Sequence, residues 1–293
     1  MIPRKTRLTT LDFILLLLLG IGIFALAAKI QSGLEYNWNW SAIPQFLFRF
    51  DPETGSWHAN LLIQGLLTTI RISLWATLLA SIFGIGAGLL RTSGSLYRRM
   101  LGRTYVELCR NLPPLVLIFI FYFFLSDQIM PLLGIQDMLR DSSPMVRSVA
   151  ETLFAPPARI ESFLTAVVTL ALYEGAYITE IVRSGIQSVP RGQWEAAYSL
   201  GLSRWHRMRH IILPQALKKT IPPMAGQFIS TIKDSAIVSI ISIQELTFQG
   251  MELMAATYLT FEVWITVTIL YLLLTLTCSL LARKLELALR RGE

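Results

Sequence analysis

In a chain of 293 residues only 15% are charged while 53% are hydrophobic. Soluble domains carry about a quarter charged residues, so this balance excludes an ordinary soluble globule and points to an integral membrane protein. The net charge of +7 reads as topology and not as a nucleic-acid footprint, because 19 of the 26 Lys and Arg residues fall in segments on one side of the span pattern; by the positive-inside rule that side is the cytoplasm.

A lipid-spanning helix needs roughly 20 mostly apolar residues, since its backbone finds no water. The first such run is Leu11–Ile30, preceded by Arg4, Lys5 and Arg7. We read it as a retained anchor; the "ALA" at Ala25–Ala27 also fits a signal-peptidase site, whose use would leave five spans. Residues 31–60 form an external connection in which Tyr36, Trp38, Trp40 and Trp57 suit the membrane interface.

Leu61–Leu90 is a second, long span with Ala80, Gly84 and Gly88 at four-residue spacing, a small-residue face for close helix packing. Pro113–Leu133 is the third. Residues 134–159, with Pro144, Pro156 and Pro157, read as an external loop holding a short amphipathic helix. Ile160–Val182, Ile221–Ile243 and Phe261–Ala282 complete the set. The expectation is an all-α integral membrane protein of about six transmembrane helices, a five-helix core plus an N-terminal span, with both termini cytoplasmic if the first span is retained. Cys109 and Cys278 are isolated and suit neither a disulfide framework nor a metal site.

Between the fourth and fifth spans lies "EAAYSLGLSRWHRMRHIILP", Glu195–Pro214. Pro190 and Gly192 break the chain before it, and "QWEAAYSL" reads as a short helix with Glu195 in its first turn, at the positive end of the helix dipole. Ala196 and Ala197 give that helix a face without bulk, suited to docking. Gly201 takes a left-handed cap position. Ser203 caps a second helix, "RWHRMRHIIL", which Pro214 limits or kinks. Two short helices with a sharp corner are expected at the cytoplasmic face. Lying on anionic lipid would explain the arginines, but not Glu195, the alanines and the glycine corner.

Glu195-Ala196-Ala197, three residues, Gly201, nine residues, Ile211, one residue, Leu213-Pro214 resembles the EAA loop of bacterial ABC importer permeases. Three further stretches are similar to the polar amino-acid branch of that family, the histidine- and glutamine-type permeases: "ELCRNLPPLVLIF" (Glu107–Phe119), "AYITEIVRSGIQSVPRGQ" (Ala176–Gln193) and "IKDSAIVSIISIQEL" (Ile232–Leu246), the last departing at Ser235, Ala236 and Ile237. The resemblance covers about Leu61 to Leu289. It divides the chain into 1–60, a span with its external connection, and 61–289, a permease transmembrane domain with a cytoplasmic coupling helix. It implies an inner-membrane subunit that is not itself an enzyme, ATP and Mg being bound by ATPase subunits docked on the loop. It also implies a second permease subunit, identical or homologous, and an external binding protein delivering an amino acid.

Charged side chains inside spans cost roughly 2.5–3.5 kcal/mol each on insertion scales, so each needs a reason. Glu174, mid-span, either faces a central cavity and receives a substrate ammonium or pairs with Arg71 or Lys233 to hold helices together. Arg71 meets a substrate carboxylate, pairs with Glu174 or snorkels to the interface. Lys233 and Asp234, about 100° apart on a helix, either have partners on other helices or mark an interruption. Gln227 and Thr231 line the same path or make ordinary interhelical hydrogen bonds. Glu180 with Arg183, and Glu107 with Arg110, stand three apart and read as ion pairs bracing the loop.

His206 and His210 have the spacing of a helical zinc pair, but Arg204, Arg207 and Arg209 repel a dication and no third ligand is in view. The chain lacks the G-x-x-x-x-G-K-[ST] phosphate loop, so an energy source must come from a partner. The alternative class is a secondary transporter working without an ATPase; against it, no inverted repeat is evident.

Overall fold

The structure, a computed structural model, describes residues 10–33, 36–53 and 55–290. These residues divide at Trp40 into two compact units. The first holds one helix, α1 (Thr10–Gly33), continuous through the alanines of the alternative cleavage site; Arg4, Lys5 and Arg7 lie outside the described residues. In the second unit a short helix, α2 (Ile43–Leu47), leads into an antiparallel hairpin of β1 (Phe48–Asp51) and β2 (Ser56–Ala59), paired Phe48 to Ala59. This small hairpin is the only strand pairing among the described residues of an otherwise helical fold.

The membrane core is built on two long helices, α3 (Leu61–Arg91) and α9 (Ile160–Gln187). They run parallel with a fixed register that the small-residue face permits: a Cβ on Gly84 would stand 2.5 Å from Ile178 Cγ2, and one on Gly88 2.7 Å from Val182 Cγ1. No side chain fits between these backbones, which is why glycine occupies both places. Between the two helices come α4 (Leu96–Asn111), an amphipathic helix missed in the sequence, and α5 (Pro114–Phe124). The latter continues through a π turn at Leu125–Ile129 into α6 (Met130–Leu133). The loop that follows folds as α7 (Ile135–Arg140) and α8 (Pro144–Leu153), the second capped by Ser143.

After α9 the chain forms α10 (Arg191–Ser199) and α11 (Arg204–Arg207), then a π turn at Met208–Ile212 that passes directly into α12 (Leu213–Asp234). A 3-10 turn at Ser235–Ile241, α13 (Leu246–Thr257) and α14 (Thr260–Arg290) finish the fold.

Among the described residues four helical stretches are long and apolar enough to cross a membrane, Leu61–Arg91, Pro114–Leu133, Pro157–Gln187 and Thr260–Ala288, with Thr10–Gly22 a shorter apolar run. The expected fifth span, Ile221–Ile243, is not one helix. Helix α12 starts earlier, carries Lys218, Lys219 and an internal Pro222-Pro223 pair, and stops at Asp234; the chain then tightens and ends at Ser242 with φ 62°. The apolar run seen in the sequence is the join of two differently wound segments.

Candidate functional site

The Glu195–Pro214 corner is built from backbone caps and a compact apolar floor. Helix α10 ends in a Schellman motif: Gly201 N–H donates to Tyr198 O at 2.9 Å and Leu202 N–H to Ala197 O at 3.3 Å, with Gly201 at φ +69°. Ser203 then caps α11, its hydroxyl oxygen accepting from His206 N–H. Three expectations need correction. Because α10 begins at Arg191, Glu195 lies beyond its first turn. The alanines do not share a face: Ala197 is fully buried and Ala196 exposed. The second helix is not short, because the π turn accommodates the missing donor and the ring of Pro214 and carries the chain into α12.

Ile211 and Leu213 pack with Ile212 and Ala216 against Ile186 and Val189 at the foot of α9, and Trp194 closes the cluster. Polar ties reinforce it. Lys219 Nζ donates to Ser188 O at 2.8 Å, and Gln215 Nε2 bridges Gln193 Oε1 at 3.1 Å and Ile211 O at 2.9 Å. Helices α9, α10 and α12 therefore form one braced unit, with Glu195, Tyr198, Leu200 and Trp205 exposed on it. The rings of His206 and His210 stack at 5.6 Å, and Arg207 lies 5.9 Å from the rings of both Trp194 and Tyr198.

Above this unit Glu180 pairs with Arg183 at 2.7 Å and also with Arg91 of α3. Glu107 does not pair with Arg110. It faces Arg103 at 3.6 Å and accepts from Asn111 Nδ2 at 2.7 Å, while Arg110 lies over the Tyr177 ring at 5.2 Å. The expected pair is not made because Arg110 turns to the Tyr177 ring on α9 while Glu107 is taken by its i, i+4 neighbours on either side. Arg91, Glu107, Arg110 and Glu180 nonetheless border one polar recess.

Glu174 is fully buried. Neither Arg71 nor Lys233 pairs with it. Its Oε2 accepts from Gln227 Nε2 of α12 at 2.6 Å, Thr231 and Asp234 stand alongside, and Oε1 has no hydrogen-bond donor. Thr231 is buried, its hydroxyl donating to Gln227 O, and Lys233 is exposed. The helix interruption allowed for at Lys233–Asp234 is where α12 ends. Arg71 belongs elsewhere: Nη1 donates to Glu151 O at 2.9 Å, Nε to Leu67 O at 3.3 Å and Nη2 to Thr68 Oγ1 at 3.3 Å.

Glu245 was missed in the sequence. Fully buried, it caps α13 by accepting from Phe248 N–H at 2.8 Å, and it accepts from Tyr271 Oη at 2.7 Å and Thr69 Oγ1 at 3.3 Å, tying α3, α13 and α14 together. The signal was present, a carboxylate immediately before an apolar helix, the position of an N-cap.

Residues 80–291 match the model of the family described as "Binding-protein-dependent transport system inner membrane component". The chain is 32% identical over 255 residues to the glutamine transport system permease protein GlnP of Escherichia coli strain K12, covering 86% of this chain and 97% of that protein. It is 32% identical over 233 residues to the probable glutamine ABC transporter permease protein GlnM of Bacillus subtilis strain 168, covering 80% and 95%. Against the crystal structure of an amino acid ABC transporter with histidines, the TM-score is 0.64 at 29% identity, with 86% of this chain and 99% of that one aligned. Inward-facing MetNI methionine ABC transporter structures share the fold, with a TM-score of 0.57 at 18% identity over 78% of this chain and 96% of theirs.

Proposed function

The chain belongs to the family of binding-protein-dependent transport system inner membrane components, and from that premise we propose how this permease subunit works and what it carries. It is a multi-pass inner-membrane protein of an ATP-driven importer, and the alternative of a transporter without an ATPase is not favoured. Its substrate is a polar amino acid, the cargo class named for GlnP and GlnM. An external binding protein delivers that cargo, a second permease subunit completes the pathway, and both termini face the cytoplasm. ATP and Mg are held by ATPase subunits and not by this chain.

The observation that carries the coupling role is the braced unit of α9, α10 and α12. A push on the exposed surface of α10 is not absorbed locally, because Trp194, Ile211 and Leu213 tie that helix to the feet of α9 and α12. The same two helices meet higher up at Glu174 and Gln227. Motion of the coupling helix thus reaches the one place where a carboxylate is buried between them. Parting α9 from α12 there exposes Glu174, with Asp234 beside it, to the ammonium group of an amino acid. Gln227 and Thr231 supply neutral hydrogen bonds to the same path.

The experiment is a mild-detergent purification of the tagged chain with its native partners, followed by uptake in vesicles with and without ATP. Recovery of an ATPase subunit together with ATP-dependent amino-acid uptake is the expected result. Recovery of the chain without an ATPase, with uptake that ignores ATP, overturns the reading.

A further inference from the structure

Arg71 and Arg159 line one cavity of about 350 Å³ on the external side of the core, between the first turns of α3, the end of α8, the start of α9 and the Ser242–Gln244 turn. Phe154 and Phe163 contribute apolar wall, and Gln64, Gln244 and Gln249 bring side-chain amides to it. The size falls within the range of small-molecule pockets, about 300–1,000 Å³.

Two guanidinium-bearing residues line this space. Arg71 is half-buried and its three hydrogen bonds go to two backbone carbonyls and a hydroxyl; Arg159 donates to the Gln244 side-chain oxygen. Neither forms an ion pair with a described residue. Glu151 accepts Arg71 through its main-chain carbonyl, its residue exposed at the rim. Arg159 is exposed and Arg71 half-buried, and the planar guanidinium fork of each matches a carboxylate with two parallel hydrogen bonds.

The position separates this pocket from Glu174. In the parallel α3–α9 register, Gly84 lies against Ile178 and Gly88 against Val182, so Glu174 is level with Ala80. Arg71 is nine residues before Ala80 on the same helix, or about 14 Å along the axis. The ammonium and carboxylate of an amino acid sit on one carbon, so a single molecule does not span the two places.

We propose that the Arg71–Arg159 cavity is a separate outer station that holds the carboxylate of an incoming free amino acid before it reaches Glu174. This deepens the amino-acid reading above and rests on it. The carboxylate meets two guanidinium groups, the amides of Gln64 and Gln249 meet polar side-chain atoms, and the phenyl rings cover the stem. Charge sorts the two stations, cationic outside and anionic within.

The test uses the purified full-length chain with its partner subunits and phenylglyoxal, a reagent for accessible guanidinium groups, with modification at each arginine read by mass spectrometry. The common amino acids and their α-carboxamides are added singly at millimolar concentration, and exposed Arg140 of α7 serves as the internal reference. Expected is a several-fold slowing at Arg71 and Arg159, and not at Arg140, by at least one amino acid but not by its carboxamide. The outer station is overturned if no amino acid protects, if carboxamides protect equally, or if sulfate protects as well as the amino acids do. In uptake assays with that amino acid, Arg71→Gln should raise KM about tenfold, ~1.4 kcal/mol, with kcat little changed and Arg71→Lys intermediate. A fall in kcat alone would assign Arg71 to bracing the external loop and sink the proposal. Wild-type complex that shows protection yet no ATP-driven uptake would fault the importer reading while leaving the pocket intact.

Discussion

The Glu195–Pro214 corner and the polar groups inside the membrane core are both rich in ionisable residues, yet they are assembled by opposite rules. At the corner the fold is made by caps and apolar packing, through Gly201, Ser203, Ala197 and Ile212, while Arg204, Arg209 and Glu195 point outward. In the core the polar side chains are themselves the fasteners, as Glu245 is for Thr69, Phe248 and Tyr271. Exposed charges contribute little to stability, about 0–1 kcal/mol a pair, so those of the corner are free to serve a partner. A buried carboxylate that holds several donors, as Glu245 does and Glu174 with its single Gln227 donor does not, has no such freedom, because every donor it leaves behind is stranded in a medium without water. The same residue type is therefore structural in one region and available in the other.

The sharpest way to break this contrast is Glu245→Ala. Three donors lose their acceptor, and bonds between membrane helices average near 0.6 kcal/mol while stranded buried groups cost about 1–3 kcal/mol each. A loss of about 2–5 kcal/mol follows, a large part of a typical stability. The variant should be nearly absent from membranes by immunoblot, and partial recovery by Glu245→Gln would show that acceptor capacity is what matters. Normal levels of the alanine variant would refute the fastener role.

Gly201→Val tests the other rule. Nothing lies within 4 Å of a Cβ placed there, so the cost is conformational alone, about 1–2 kcal/mol for a side chain held at positive φ. The subunit should reach the membrane at close to normal levels while uptake is lost, because the corner no longer presents α10 at its angle. Gly201→Asn, which tolerates that region better, should restore part of the uptake. Full uptake in the valine variant would remove the corner from the coupling argument.

Legibility in the sequence follows the same division. The corner was readable because its determinants are local: a glycine after a short helix, a serine before the next, a proline that needs accommodation. Even there the start of α10 was placed two residues late, since Arg191 and Gly192 join the helix that Pro190 initiates. In the core, the presence of a buried charge was readable from hydropathy but its partner was not. Glu174 bonds Gln227 across 53 positions and Thr69 reaches Glu245 across 176, and no local pattern encodes which helices become neighbours. An uncharged amide proved sufficient where a cationic partner was expected. The fifth span was misjudged for a related reason, because hydropathy averages over Ser235–Ile241 without registering a change of winding.

Between the extremes stands Glu174→Gln. The amide retains an oxygen for Gln227 to donate to, and removal of a buried charge is often neutral or stabilising. Membrane levels should therefore equal or exceed those of the native chain, with uptake of amino acids strongly reduced. Should the levels fall instead, as for Glu245→Ala, Glu174 joins the fasteners and the contrast within the core disappears.

The smallest effect is expected for Arg209→Ala on the exposed side of the corner. Arg209 contributes a contact over the Trp205 ring at 5.9 Å, worth about 0.5–1 kcal/mol at an exposed site, and thermal unfolding should shift by no more than that implies. Its consequence should be visible only in association. If outward charges serve the ATPase subunit, co-purification of that subunit with the variant should fail at a lower salt concentration than with the native chain, because one fewer screened attraction holds it. A variant that unfolds early yet binds its partner normally would mean that the surface charge is built into the corner after all, and the rule separating the two regions would need to be drawn by burial of the helix and not of the side chain.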